Sequence, residues 1–595
     1  MTKNILHIAL GVLLAGPLVA QQKRTGNEDT LKTTIRTVFD YKPTIADARK
    51  LSEAPFTIDT VLPKPEPNYM YGSNRMETEF KPDSIQAAKM KGEPLDPLYR
   101  AYTRIGAGNG INYLGDLYVN TVRSRNGSMG IEAHGIGTQG ALKDLPPAPY
   151  NRWNGEVNGK RFFKKHALEG AVFYDRERLQ NYGYSYDDPA SAQYYLDYQG
   201  NEGVFKQAYQ RVGAEGNLKS FYTDSTKLNH IVALRYENWM DLHGANNENN
   251  IAANGEVSRF FGSHQVKVQA LVDMNLVNYV DSFNYAPFGA VEQSPSNHII
   301  GLKPVMTSQW KKFRVEYGFN VQAQIASAGT TPRIYPHLYA KYNLLKDVLI
   351  PYAGVTGGLQ RNNLSNLTES NPFLLTRNTM LRNTDEVLNI YGGFRGAISR
   401  EITYNLQASR YLQRNAPMFI NYNASQFNLG TSRFGENYFL VNYDTINVFE
   451  ISGELMYRVG DKIQVVGTGI YRSYQTEVEF EAWQRPAIEA GLTGFYQIQN
   501  KIIIKAQAHI LGPQWTKSYE STSEKFFGND GKDVYGNKLA PVIDLNAGLE
   551  YRYTERLSGF INVNNFIAQR YQRWNQYPVQ RINVIGGITY SFWKE

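Results

Sequence analysis

The chain contains no cysteine. That absence removes disulfides, thiolate catalysis, lipoprotein acylation and Cys-based zinc or iron–sulfur sites. It also lacks any long unbroken apolar run beyond its N-terminus, and that one is too short to span a bilayer, so a helical membrane protein is excluded. Charge of one sign is scarce too: 63 Lys+Arg stand against 55 Asp+Glu, with no basic run, which argues against nucleic acid as a partner. The nine histidines are scattered without a pair at ligand spacing, and no nucleophile elbow, phosphate loop or calcium loop is present. The Gly-rich stretch Gly106-Ala107-Gly108-Asn109-Gly110 precedes no helix and reads as a hairpin turn. These absences point to a non-enzyme without a cofactor.

What is present begins with a targeting pattern. Lys3 precedes an apolar core, Ile5 to Leu14, and Leu18-Val19-Ala20-Gln21 follows. This reads as a signal peptide over residues 1–20, and hence as an exported protein. Residues 21–97 are polar, irregular and punctuated by proline, including Pro43, Pro55, Pro63, Pro65 and Pro67. Such a segment buries little core alone and is expected in the periplasm or inside a larger body.

From residue 98 to 595 the texture is alternation. In Phe313-Arg314-Val315-Glu316-Tyr317-Gly318-Phe319-Asn320-Val321-Gln322-Ala323-Gln324-Ile325 every odd position is apolar. Val266–Leu276, Ile402–Leu412, Ile502–Ile510, Ile543–Tyr553 and Ile582–Phe592 repeat the pattern. Period two means one apolar and one polar face. Ordinary strands run about five or six residues; these are roughly twice that, the length a tilted strand needs to cross a bilayer. About 22 such segments are joined by tight turns alternating with long loops, as in a transmembrane antiparallel β-barrel. The tight turns include 399–401, 459–462, 498–501 and 554–557; the long loops include 281–296, 361–385, 413–445, 512–540 and 568–581. An even count puts both ends on the short-turn, periplasmic side. The 42 tyrosines, more than Phe and Trp together, suit aromatic girdles against outer-membrane lipid.

If apolar positions face lipid, then Lys267, Asp273, Arg314, Glu316, Gln322, Lys505, His509, Asp544, Glu550 and Arg552 face the lumen. Charges of both signs there meet water, one another or an inserted polypeptide, because unpaired burial is costly. A barrel this wide is not filled by wall side chains alone. Trp483, Trp515 and Trp574 fall in or beside long loops, where they either stack on a flat ligand or anchor at the interface.

The closing aromatic strand resembles the signal read by the outer-membrane assembly machinery. Val563-Asn564-Asn565-Phe566-Ile567-Ala568-Gln569-Arg570-Tyr571, then Trp574 and Tyr577-Pro578, resembles the end of TonB-dependent receptor barrels. Asp40–Lys50 and Ala88–Pro94 resemble exported TonB-receptor-like proteins of Bacteroidetes. The resemblance implies passage or capture of a polar ligand across the outer membrane. It departs from the family in that residues 21–97 are too short for, and unlike, a standard plug domain. Thr34-Ile35-Arg36-Thr37-Val38 is weakly similar to the coupling peptide that adds a strand to TonB, and also reads as an ordinary β-prone tail. A second reading is a structural or assembly subunit that docks other envelope proteins.

Overall fold

The computed structural model describes residues 98–594, apart from stretches at 122–123, 141–147, 184–205, 225, 280–283, 286–288, 291–294, 328, 377–378, 422–437, 518–523, 528–530 and 532. The leader, the segment 21–97 and the Thr34–Val38 stretch lie outside the described residues. Twenty-two strands pair antiparallel in chain order, from β1 (Tyr99–Gly108) to β22 (Asn583–Lys594). The last pairs with the first, Ile105 opposite Ile588, so the sheet closes into a barrel. Closure satisfies every edge that an open sheet would leave unpaired. No helix among the described residues is long and apolar enough to cross a membrane.

Alternation sets the two faces. In β7 (Asn229–Asp241), Val232, Leu234 and Tyr236 are exposed on the outer wall, while Arg235 and Glu237 turn inward and pair at 2.8 Å. Across the barrel, Leu455 and Ile588 are exposed outside, whereas Gln322, Asp544 and Glu550 are buried. The outcome is an apolar outer belt around a polar interior, the inverse of a soluble protein.

The seam that closes the ring is built on small residues. A Cβ added at Gly587 would stand 2.0 Å from the Ile105 carbonyl oxygen. We therefore expect Gly587→Val to abolish the compact, heat-modifiable barrel on a gel. Gly559→Ala, whose nearest neighbour is an ordinary 3.9 Å away, should leave it intact. Equal behaviour of the two variants would show that close approach at the seam is not limiting.

The tight turns fall at 398–401, 460–462, 499–501 and 553–556, close to the expected positions. Gly106 and Gly108 belong to β1, and the turn itself is Asn109-Gly110-Ile111. The long loops contain structure that alternation did not reveal. Within the stretch expected as a loop from 413 to 445, residues 413–421 and 439–445 are strand: β15 (Ile402–Asn421) and β16 (Phe439–Val459) are 20 and 21 residues long. A register shift between Gln413 and Ala416, with Asn415 at φ 52, bends this hairpin above the barrel. Above the bend both faces are covered, so the period-two signal vanishes: Ala416, Met418 and Ile420 pack with Ile446, Val448 and Trp483. A three-stranded sheet (514–517, 524–527, 533–539) and a small hairpin (572–574, 577–578) occupy two further loops.

Candidate ligand vestibule

The loop between β13 (Ile350–Gln360) and β14 (Thr384–Ala397) folds inward. Its first residue, Arg361, grips β9 (His264–Asn278): Nε donates to Asp273 Oδ2 at 3.1 Å and Nη2 to the Asp273 carbonyl at 2.8 Å. At the other end, Asn383 Nδ2 donates to Asn297 Oδ1 at 2.6 Å. Between them lies α1 (Leu364–Ser370), started by Asn363, whose side chain accepts from Asn366 N. The first turn of any helix has unbonded N–H groups. Here Glu248, on β8 (Asn247–Phe261) and 1% exposed, accepts from Leu364 N at 2.8 Å and Ser365 N at 3.2 Å. Glu237 Oε1 accepts from Ser365 Oγ at 2.7 Å. Arg211, on β6 (Lys206–Ser220), joins Glu369 at 3.3 Å and Asp175, which also takes Arg152 at 2.6 Å.

The return of the loop meets the end of β16. Phe439 N donates to the Phe373 carbonyl at 3.1 Å, and Leu375 N to the Phe439 carbonyl at 2.9 Å. Tyr209 Oη, on β6, donates to the Pro372 carbonyl at 3.0 Å. Strands β6 and β16 lie ten places apart in a ring of 22, close to a diameter. Tyr209 and Phe439 nonetheless hold the adjacent residues Pro372 and Phe373, so the end of β16 beyond the register shift meets the β6 side at the mouth and the loop lies at their junction. The loop's apolar side chains fill this junction: Phe373 stacks on Tyr577 with centroids 3.6 Å apart, and Leu364, Leu367, Leu374, Trp239 and Trp574 share one buried cluster. Stacked aromatic pairs add specific geometry to this apolar burial.

Beside α1, toward β15 and the loop 477–487, is a cavity of about 570 Å³. Glu369, Phe419, Gln484, Arg485, Glu489 and Trp574 are among its walls. Burial pushes the Arg485 guanidinium below its usual range. Its Nη2 donates to the Pro417 carbonyl at 2.9 Å.

The residues expected to face the lumen are dispersed among the strands. Asp273 anchors the inward loop through Arg361. Lys267 pairs with Glu256 at 3.1 Å, and Arg314 with Glu316 at 2.6 Å. His509 lies opposite Asp544, and Asn546 Nδ2 donates to Asp544 Oδ2 at 3.1 Å. Lys505 and Glu550 sit on the neighbouring strands β19 (Ile502–Leu511) and β20 (Val542–Arg552), while Arg552 reaches the turn carbonyl of Asn500. Of the tryptophans, Trp483 is fully buried with Nε1 donating to Glu479 at 2.8 Å, and it borders the cavity with Trp574. Trp515 meets Phe526 edge-on at 5.1 Å.

Sequence reasoning passed over Arg361, Glu248, Glu237, Arg211, Gln484 and Arg485, and over the buried Asp116–His134 pair facing Arg104. One signal was legible: Leu364, Leu367, Phe373, Leu374 and Leu375 make 361–383 too apolar for a loop in water. No group of three or more His, Asp or Glu side chains among the described residues gathers as a metal site.

Comparison with solved structures reveals the architecture. The barrel has the fold of TonB-dependent receptors. It is similar to the FrpB iron transporter from Neisseria meningitidis, with a TM-score of 0.59 at 10% identity over 83% of this chain and 81% of that one. It is similar to the outer-membrane ferripyoverdine receptor of Pseudomonas aeruginosa bound to ferripyoverdine, with a TM-score of 0.59 at 12% identity over 83% and 72%. It is also similar to the ferric enterobactin receptor PfeA of that organism, with a TM-score of 0.58 at 13% identity over 83% and 81%. At such identities the likeness is one of fold. No family model matches the sequence, and no curated protein matches it.

Proposed function

We propose that this chain is an outer-membrane receptor that captures a polar ligand at the cell surface and passes it inward, without covalent chemistry. The apolar outer belt supports a barrel set in a bilayer with its long loops facing outward. The carrying observation is the mouth: a loop held by β6, β9 and the inward end of β16 lies within it, beside a cavity lined by charged and aromatic groups. An occupied mouth with an adjoining cavity suits capture before passage, rather than free diffusion. The solved neighbours include transport receptors, which supports the general kind and leaves the ligand to this chain's own residues. Residues 1–20 serve as the export signal, and residues 21–97 lie in the periplasm or lumen.

The test is recording from the full chain in planar bilayers, together with purification in mild detergent. The receptor reading expects rare, brief, discrete openings from a barrel that purifies without an obligate companion. A permanently silent barrel that carries stoichiometric envelope proteins would replace it with the assembly-subunit reading.

A further inference from the structure

We propose that the cavity beside α1 binds a small carboxylate that also bears an amide, of the N-acyl amino acid kind, with the carboxylate on Arg485 and the amide on Gln484. The proposal rests on the receptor reading and names the chemistry of its ligand.

Gln484 is the first observation. It is 9% exposed, borders the cavity, and among the described residues neither its amide oxygen nor its amide nitrogen has a hydrogen-bond partner. Its backbone is fixed nonetheless: N donates to the Trp515 carbonyl at 2.8 Å, and φ is 58°, in the left-handed region. A non-glycine residue held there while its buried carboxamide stays unbonded carries two costs at one position. A ligand offering a donor and an acceptor side by side would relieve the second. Another amide is the natural complement.

Charge is the second observation. The two carboxylates bordering the cavity are already engaged, Glu489 by Arg472 and Glu369 by Arg211. Among the described residues no carboxylate pairs with Arg485, whose guanidinium makes one hydrogen bond, to a neutral carbonyl. A partly buried guanidinium with free donors in a fork is suited to a bidentate carboxylate. Phe419 and Leu511 add apolar wall for a side chain. The volume lies within the usual range for small-molecule sites.

The same chemistry occurs in a free acyl amino acid and at the C-terminus of a peptide, so the experiment includes both. Purified full-length barrel in detergent is titrated calorimetrically with N-acetylphenylalanine, with its uncharged carboxamide, and with an acetylated tripeptide ending in phenylalanine. We expect N-acetylphenylalanine to bind and the carboxamide to bind at least about tenfold more weakly, because a charge-assisted bond is lost. Arg485→Gln should abolish the difference between the two probes. Gln484→Met should weaken N-acetylphenylalanine several-fold without lowering the unfolding temperature, since no bond within the protein is removed. Tighter binding of the tripeptide assigns the site to peptide ends; weaker binding assigns it to free acyl amino acids. Equal binding of acid and carboxamide, no binding, or binding that emerges only when residues 21–97 are deleted would overturn the proposal. The bilayer recordings on the full chain are unaffected by any of these results, so failure here and failure of the receptor reading can be told apart.

Discussion

Replacing residues 363–382 with a short glycine-serine turn, in a chain that also lacks residues 21–97, should convert the protein into a sustained open channel. Porin barrels with fewer strands already leave an aqueous pore, and barrels of 22 strands conduct unless something occupies them. Here the loop is an occupant that can be named. It is held by Arg361 on Asp273, by Glu248 on the first turn of α1, by Arg211 on Glu369 and by Phe373 on Tyr577. Removing it leaves the ring of strands intact, because none of these contacts belongs to the strand ladder. Conductance should rise at least several-fold over the same chain with the loop present. A folded but still silent variant would show that the loop is not what closes the mouth. Deleting residues 21–97 in both chains separates the loop's contribution from that of the N-terminal segment.

A charge placed on the outer wall should be the most damaging single substitution. Leu455, on β16, is 51% exposed on the apolar belt, and its neighbour Glu454 faces the interior. Leu455→Arg puts a guanidinium into hydrocarbon and should cost about 2–4 kcal/mol of barrel stability. Glu454→Arg, one residue away, exchanges one hydrated charge for another and should cost well under half as much. Folding titrations into lipid vesicles provide the comparison. Equal losses would mean that the two faces are assigned wrongly, and with them the membrane itself.

An inward position is not automatically a permissive one. From the alternation alone, Gln322 reads as a free wall residue that would accept a larger charged side chain. In the fold its Oε1 accepts from Leu359 N at 2.7 Å, and it is 6% exposed. Arginine there would break that bond within a crowded stretch of wall beside the register shift at Thr356 and Gly358.

The barrel was legible because its strands obey one local rule. A residue's side of the wall is decided by parity, parity is visible in ten consecutive residues, and tight turns separate one run from the next. The same rule reads Asp273, Arg314 and Glu550 as interior positions without any knowledge of their partners. It went silent above the belt, where β15 and β16 continue with both faces covered and the alternation of Ile402–Leu412 gives way to Ala416-Pro417-Met418-Phe419-Ile420. The vestibule is further removed still from local pattern. Arg361 meets Asp273, Ser365 meets Glu237, and Phe373 meets Tyr577 across separations of 88, 128 and 204 residues, and no period in the chain encodes such encounters. Sequence by itself determined that the chain must close a wide ring with oil outside and polar groups within, because each strand carries that instruction in its own residues. Only the tertiary structure decided which loop turns into the opening and which side chains it leaves unmatched there, because those depend on surfaces brought together by ring closure.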